Sequence, residues 1–334
     1  ISAIVTILHA FNYGSIDLIL VTVLILGSIL GVQIGQKIGE EVDSSQFKTI
    51  LALLLLIVGI AIAYDAFFAE MISKNKFASS EVQVTSLAQS VGQMDNLEYR
   101  TYNALIASDL IKATRQASIE GFDALIIGCF YDPFLLDARE ISGDMVVVGP
   151  CHCSIEIALK LSNSFSVIIG QKKWQHEMQS TIIEYGFGEH LASFRDVGMT
   201  VPEFQEDHKL TEEKLMEAVR LAIDEDGAES IILGCTLEFG FFEKIQNKFN
   251  IPVIDPSIAA LKQAEQAAIL KNKFGWKPSR QWSTQGPPES DIKRYNLFDK
   301  EFLIDAGNTG GRIGIPTFVR GMPRIAGVRL YYAF

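Results

Sequence analysis

A stretch that the chain contains twice limits its fold more than any other feature. EGFDALIIGC ends at Cys129 and DGAESIILGC ends at Cys235, and 235 minus 129 gives a repeat of 106 residues. Each copy follows an amphipathic helical stretch, 109 to 119 and then 212 to 225, runs through four or five apolar residues and stops at Gly-Cys. That pattern predicts a helix, a buried strand and a cysteine at the strand's carboxyl end. Ligands of open parallel α/β sheets sit outside the carboxyl ends of strands, so both thiols fall where chemistry happens. An acidic residue follows three positions after each thiol, Asp132 and Glu238. A duplicated lobe folding about a pseudo-twofold axis would set the two cysteines face to face across one substrate.

Composition removes several alternatives. At 334 residues the chain is long enough for two or three domains. A formal charge of -11 with no offsetting basic stripe argues against a nucleic-acid partner, though not against a small anionic ligand. Four cysteines in a chain this long are no disulfide framework, so reduced thiols in a cytoplasmic setting are expected. The chain opens on Ile1 rather than Met, which reads as a fragment.

From about Ala78 the pattern is α/β. Strands are predicted at 82–87, 124–128, 145–148, 165–169, 230–234 and 252–254, and helices at 98–119, 133–141, 153–161, 172–185, 212–225, 237–248 and 257–272. Alternation of this kind implies doubly wound parallel sheets in two pseudo-symmetric lobes. The preceding 1–77 is different in kind. Residues 18–36 and 49–64 carry no charge. At ~1.5 Å per residue, roughly 20 residues cross the hydrocarbon layer, so 16–36 and 47–69 read as a transmembrane helical hairpin. Gly27, Gly31, Gly35 and Gly39 form a small-residue packing face along its first helix. Balanced flanking lysines leave its orientation undetermined.

Within the α/β region, GCFYDP at 128–133, VVVGP before a helix, FSVII, EDGAESIILGCT and IPVIDPSIAALKQAE occur in order. Together they resemble the Asp/Glu/hydantoin racemase family over about 80–275, nearest to its hydantoin racemase branch. The resemblance implies two α/β lobes and racemisation without a cofactor or metal, using one cysteine from each lobe: Cys129 and Cys235. The family's opening strand, with its Asn-Pro-Asn-Thr type of loop, has no counterpart before Val82. Its loss is expected to leave an unpaired edge in the first lobe and to put activity in doubt, and a 78–282 fragment is expected to fold poorly. Likewise GSILGVQIGQKIG and FKTILALLLLIVGIAIAYDAF resemble the last two helices of the sulfite exporter (TauE-like) transporters. NLFDKEFLIDAGNTGGRIGIPTFVRGMPRIAGVRLYYAF resembles the end of TonB-dependent outer-membrane receptors, with a period-2 strand pattern closing on Phe334. The linker and strand of 283–334, parted from any barrel, are expected to be loosely held. Three segments with no compartment in common suggest a chimeric chain of joined reading frames.

The residues themselves support the racemase chemistry. Inverting a carbon centre by proton transfer needs a base on one face and an acid on the other. A thiol of ordinary pKa ~8.5 needs only a modest downward shift to serve, and a helix start after each cysteine is expected to favour the thiolate. The N–H groups of Phe130 and Thr236 are candidates to hold a developing oxyanion. Asp132 is either a substrate or thiol partner or the cap of a helix begun by Pro133, and Glu238 carries the same ambiguity. His152, in Gly-Pro-Cys-His-Cys, is a candidate for an anionic substrate group, and Asp255 reads as a strand-end cap. The expected partner is a small hydantoin or amino acid, with the membrane engaged through 16–69, and a homo-oligomer is compatible with the pattern. The competing functions are a transporter fragment with an appended non-catalytic domain, and a binding module without turnover.

Overall fold

The computed structural model describes residues 70–87 and 96–294, together with 303–304, 317–318 and 328–332. Two four-stranded sheets, all parallel, carry the fold. In chain order the elements are β1 (Val82–Ser86), α1 (Arg100–Ile119), β2 (Ala124–Ile127), α2 (Leu135–Ile141), β3 (Val146–Val148) and α3 (Pro150–Leu161). Then come β4 (Phe165–Ile169), α4 (Gln175–Glu184), β5 (Leu191–Asp196), α5 (Glu203–Glu206), α6 (His208–Asp224), β6 (Ser230–Leu233), α7 (Phe242–Phe249), β7 (Val253–Ile254) and α8 (Pro256–Phe274). The last are α9 (Glu289–Arg294), β8 (Leu303–Ile304), β9 (Thr317–Phe318) and β10 (Val328–Tyr332).

Every residue of β2, β4 and β6 is buried, which is the signature of parallel strands covered on both faces. Helix α1 turns Asn103, Ile106, Leu110, Thr114 and Ala117 inward at helical spacing, and α6 turns Thr211, Leu215, Ala218 and Ala222. Leu110, Leu125, Leu135 and Met145 centre one core, and Leu215, Val219, Ile231 and Ile245 the other. Each lobe therefore closes its own hydrophobic layer, as the duplicated pattern predicts.

The strand orders match position by position. The second sheet runs β5-β4-β6-β7 and the first runs β1-β10-β2-β3. The slot that β4 fills in one lobe is filled in the other by β10, the last strand of the chain. Val82–Ser86 pairs in register with Val328–Tyr332, and Arg329–Tyr331 pairs with Leu125–Ile127. The expectation of a vacant, unpaired edge in the first lobe is thereby corrected, because backbone groups of β1 and β2 facing the gap are satisfied by a strand from elsewhere. Within 283–334, the described residues 328–332 are thus held in this sheet. Arg280 inserts its guanidinium at the end of α2, donating to the carbonyls of Arg139 (2.6 Å) and Gly143 and to Ser142 Oγ (3.0 Å). Arg115 pairs with Glu289 of α9, and Ile292 is buried.

Two local expectations also shift. Strand β5 was not anticipated, since LASFRD is a half-exposed edge with no clean alternation. Helix α7 begins at Phe242 rather than 237, because Gly240 takes a positive φ of 88° and breaks the run. The transmembrane hairpin at 16–36 and 47–69 lies outside the described residues, among which no helix is long and apolar enough to cross a membrane.

Candidate active site

The two cysteines of the repeat line one cavity of about 40 Å³, with Glu98, Phe130, Tyr131, Trp174 and Thr236 among its walls. Each thiol stands on the first residues beyond a buried strand, held by the same turn: Asp132 N donates to Cys129 O and Glu238 N to Cys235 O, both at 3.0 Å. In the second lobe the turn is pressed against β4. Gly234 N donates to Ile168 O at 2.7 Å, and a Cβ on Gly234 would stand 2.4 Å from that oxygen. Only glycine permits this approach. A single side-chain bond ties the two turns together, Thr236 Oγ1 donating to Gly128 O at 3.2 Å.

Burial raises both thiols above their ordinary value. Burial pushes Cys129 up to about 12, and nearby Asp132 and Glu177 add to the rise. Cys235 is raised well above its ordinary value by burial and then by Glu238. Opposing this, the amide two residues on faces each sulfur: Leu237 N donates to Cys235 Sγ at 3.5 Å, and the Tyr131 amide plays the same part at Cys129. The expected help from helix starts is corrected. The following helices begin at Leu135 and Phe242, six and seven residues beyond the cysteines, and a helix dipole acts only across its first turn. Desolvation therefore wins.

The other sequence candidates separate. Phe130 and Thr236 line the thiol cavity. Asp132 does not; its carboxylate accepts from Cys151 N and His152 N, both at 2.9 Å, and from Tyr185 Oη at 3.0 Å, capping α3 rather than the helix after Pro133. Burial raises it to about 6 against these bonds. His152 stands beside that cap, its ring edge-on to Tyr185 and 3.6 Å from Glu156, and lines no cavity described here. Glu238 is fully buried next to Cys235; neither oxygen reaches hydrogen-bond geometry among the described residues, and burial raises its carboxyl well above the usual range. Asp255 caps α8, accepting from Ser257 N (2.9 Å) and Ile258 N (3.2 Å), as its place before Pro256 predicts.

Three wall residues were not anticipated. Tyr131 lay inside GCFYDP, where the motif itself was the signal, but Glu98 and Trp174 have no counterpart in the repeat. Glu98 Oε1 accepts from Val201 N at 2.7 Å, joining segments 103 positions apart over the cavity. Beside the cavity opens a larger cleft of about 440 Å³, lined by Arg100, Asn103, Asp132, Glu177 and Tyr185, with Tyr131 lining both spaces.

Two parallel lobes with the matching Gly-Cys turns meeting at one cavity define the class: an α/β enzyme of the racemase and isomerase type. Comparison with known proteins narrows this. The Asp/Glu/hydantoin racemase family model matches residues 73–264, and the chain belongs to that family. A hydantoin racemase of Pseudomonas sp. (strain NS671) is 30% identical over 235 residues, covering 70% of this chain and 88% of that protein. The hydantoin racemase of Paenarthrobacter aurescens is 33% identical over 187 residues, covering 56% and 77%. An allantoin racemase from Pseudomonas fluorescens has a similar fold, with a TM-score of 0.57 at 23% identity over 66% of this chain and 92% of that one.

Proposed function

We propose that this chain racemises a hydantoin or a related amino-acid derivative without a cofactor, with Cys129 and Cys235 as the two proton-transfer groups. The carrying observation is that the repeated cysteines line one cavity from opposite lobes. One thiol, having lost its proton to solvent, takes the proton from the carbon next to a ring carbonyl. The electron pair moves onto that carbonyl oxygen, and the amides of Phe130 and Thr236, which line the cavity, are the donors assigned to it in this reading. The opposite thiol then returns a proton to the other face, so that acid and base exchange roles with each inversion. Glu238 beside Cys235 and the Asp132 cap beside Cys129 act through the thiols and the turns that hold them. The choice of substrate class is supported by the hydantoin racemases that the chain resembles over most of their length.

The filled strand slot supports this reading by pairing the backbone of β1 and β2. The sulfite exporter-like and outer-membrane-receptor-like resemblances of the ends leave this reading of the middle unaltered, and no feature of the described residues favours the transporter alternative.

Racemisation in deuterium oxide tests the proposal. A 5-substituted hydantoin should lose optical rotation and take up deuterium at its chiral carbon, faster as pH rises above neutrality, because burial raises both thiols above their ordinary value. Cys129→Ala and Cys235→Ala should each lower racemisation by at least about a thousandfold, the scale of losing a positioned acid or base. Racemisation that survives either substitution would remove that cysteine from the mechanism, and binding without exchange in the unaltered chain would leave a binding module.

A further inference from the structure

Glu98 stands just ahead of α1, its backbone N–H donating to Asn96 Oδ1 at 3.2 Å. The residue is only 8% exposed, and it lines the cavity that Cys129 and Cys235 share. Among the described residues of that lining, Glu98 is the only one of Asp, Glu, Lys, Arg or His. Its Oε1 accepts from Val201 N at 2.7 Å, and Val201 lines the same cavity, so the bond holds the carboxylate at the wall. Among the described residues no second donor is bonded to that carboxylate. A carboxylate only accepts, so the ligand it favours is one that presents a donor.

Fastening the 201 segment would need only a neutral acceptor. A charge here works against the thiol, because Cys235 and Tyr131, raised chiefly by burial, are raised further by Glu98. A donor brought by the ligand offsets that cost, since hydrogen bonds to charged groups are the stronger ones. Cys129, also raised chiefly by burial, has Asp132 and Glu177 as its charged neighbours instead, which puts Glu98 on the Cys235 side of the cavity. In the racemase reading the two thiols flank C5 of a hydantoin ring. Its N1–H is borne by the atom bonded to C5, whereas N3–H lies beyond a carbonyl. A carboxylate beside Cys235 therefore meets N1–H.

We propose that Glu98 is the acceptor for the N1–H of the substrate ring, and so a specificity-determining residue of this site. The assignment rests on the racemase reading given above.

5-Benzylhydantoin and its N1-methyl and N3-methyl derivatives provide the test. Dissociation constants are measured by calorimetry on the full chain, with deuterium uptake at C5 followed in parallel. The unaltered protein should bind the N3-methyl compound about as tightly as the parent, and the N1-methyl compound at least about tenfold more weakly, the scale of one hydrogen bond to a charged group. Glu98→Gln separates acceptance from bulk. Its carbonyl oxygen must take Val201 N, because an amide NH2 cannot accept, so the NH2 faces the ring. This variant should bind the parent at least about tenfold more weakly and the N1-methyl compound as before, bringing their ratio to about one. A residue that only fastened the 201 segment would weaken both compounds equally, and that result, or a ratio unchanged by the variant, overturns the proposal. The unaltered chain is already decisive if the variant fails to fold: equal binding of the three compounds, or an N3-methyl compound bound no better than the N1-methyl one, overturns it too. Discrimination without deuterium uptake by any compound upholds the acceptor and sinks the racemase reading, whereas uptake without discrimination does the reverse. Absence of binding by all three overturns both.

Discussion

The helices that follow β3 and β7 begin at Pro150 and Pro256, again 106 residues apart, and each needs the amides at its second and third positions capped. In the second lobe the cap is the residue before the proline, Asp255. In the first that position is Gly149, and the same two amides, Cys151 and His152, are taken by Asp132 from another turn. A Cβ on Gly149 would stand 2.2 Å from Asp132 Cγ, so the glycine and the distant aspartate are one solution. Asp132 accepts this role at a left-handed φ of 51°. Asp132→Ala should destabilise the chain by about 1–3 kcal/mol, the cost of buried donors left unpaired. Adding Gly149→Asp to that variant should restore roughly half of the loss or more, by moving the cap to the place it occupies in the second lobe. Urea denaturation of the three proteins measures both effects, and a double variant no more stable than Asp132→Ala would refute the equivalence. The sequence showed Asp132 as a cap or a site residue, and could not show which helix it caps, because the bond joins residues 19 positions apart.

At the scale of elements, β10 is the piece with the largest consequence. It supplies five register pairs to β1 and three to β2, the strand that ends at Cys129. A chain ending at residue 327 should therefore expose the backbone of β1 and β2 to solvent while leaving β4 and β6 paired with each other and with their neighbours. Hydrogen exchange read by mass spectrometry should show amides of 82–86 and 124–127 exchanging at least about a hundredfold faster in the shortened chain, with 165–169 and 230–233 unchanged. Equal protection of β2 in both chains would mean that β10 is not needed. Periodicity made β10 recognisable as a strand. Its partners were not readable, since 201 residues separate Ile127 from Val328 and nothing local encodes a parallel neighbour that far away.

For the whole molecule, buried carboxyls make stability depend on pH in a direction opposite to that of exposed, paired ones. Asp255 is raised from 3.8 to about 6 by burial, its two cap bonds notwithstanding. The folded chain thus holds a proton that the unfolded chain releases near pH 4, and the corresponding stability, fully present below about pH 4, is lost as pH rises through about 6. Asp255→Asn keeps the accepting Oδ1 and removes the titration. The variant should gain stability relative to the unaltered chain by up to about 3 kcal/mol between pH 4 and pH 7, read from denaturation at each pH. A constant difference across that range would show that Asp255 is not raised. Surface carboxylates held low by partners, such as Asp226 beside Arg195, act in the opposite sense and cancel in the comparison. The sequence by itself determined the lobes, their parallel strands and the two cysteines at equivalent strand ends, because strand burial and the 106-residue repeat are written in local patterns of apolar residues and glycine. Only the tertiary structure decided that the last strand completes the first sheet, that Asp132 caps α3 and that burial raises both thiols. Each of these depends on which distant groups share a space from which water has been excluded, and packing alone sets that.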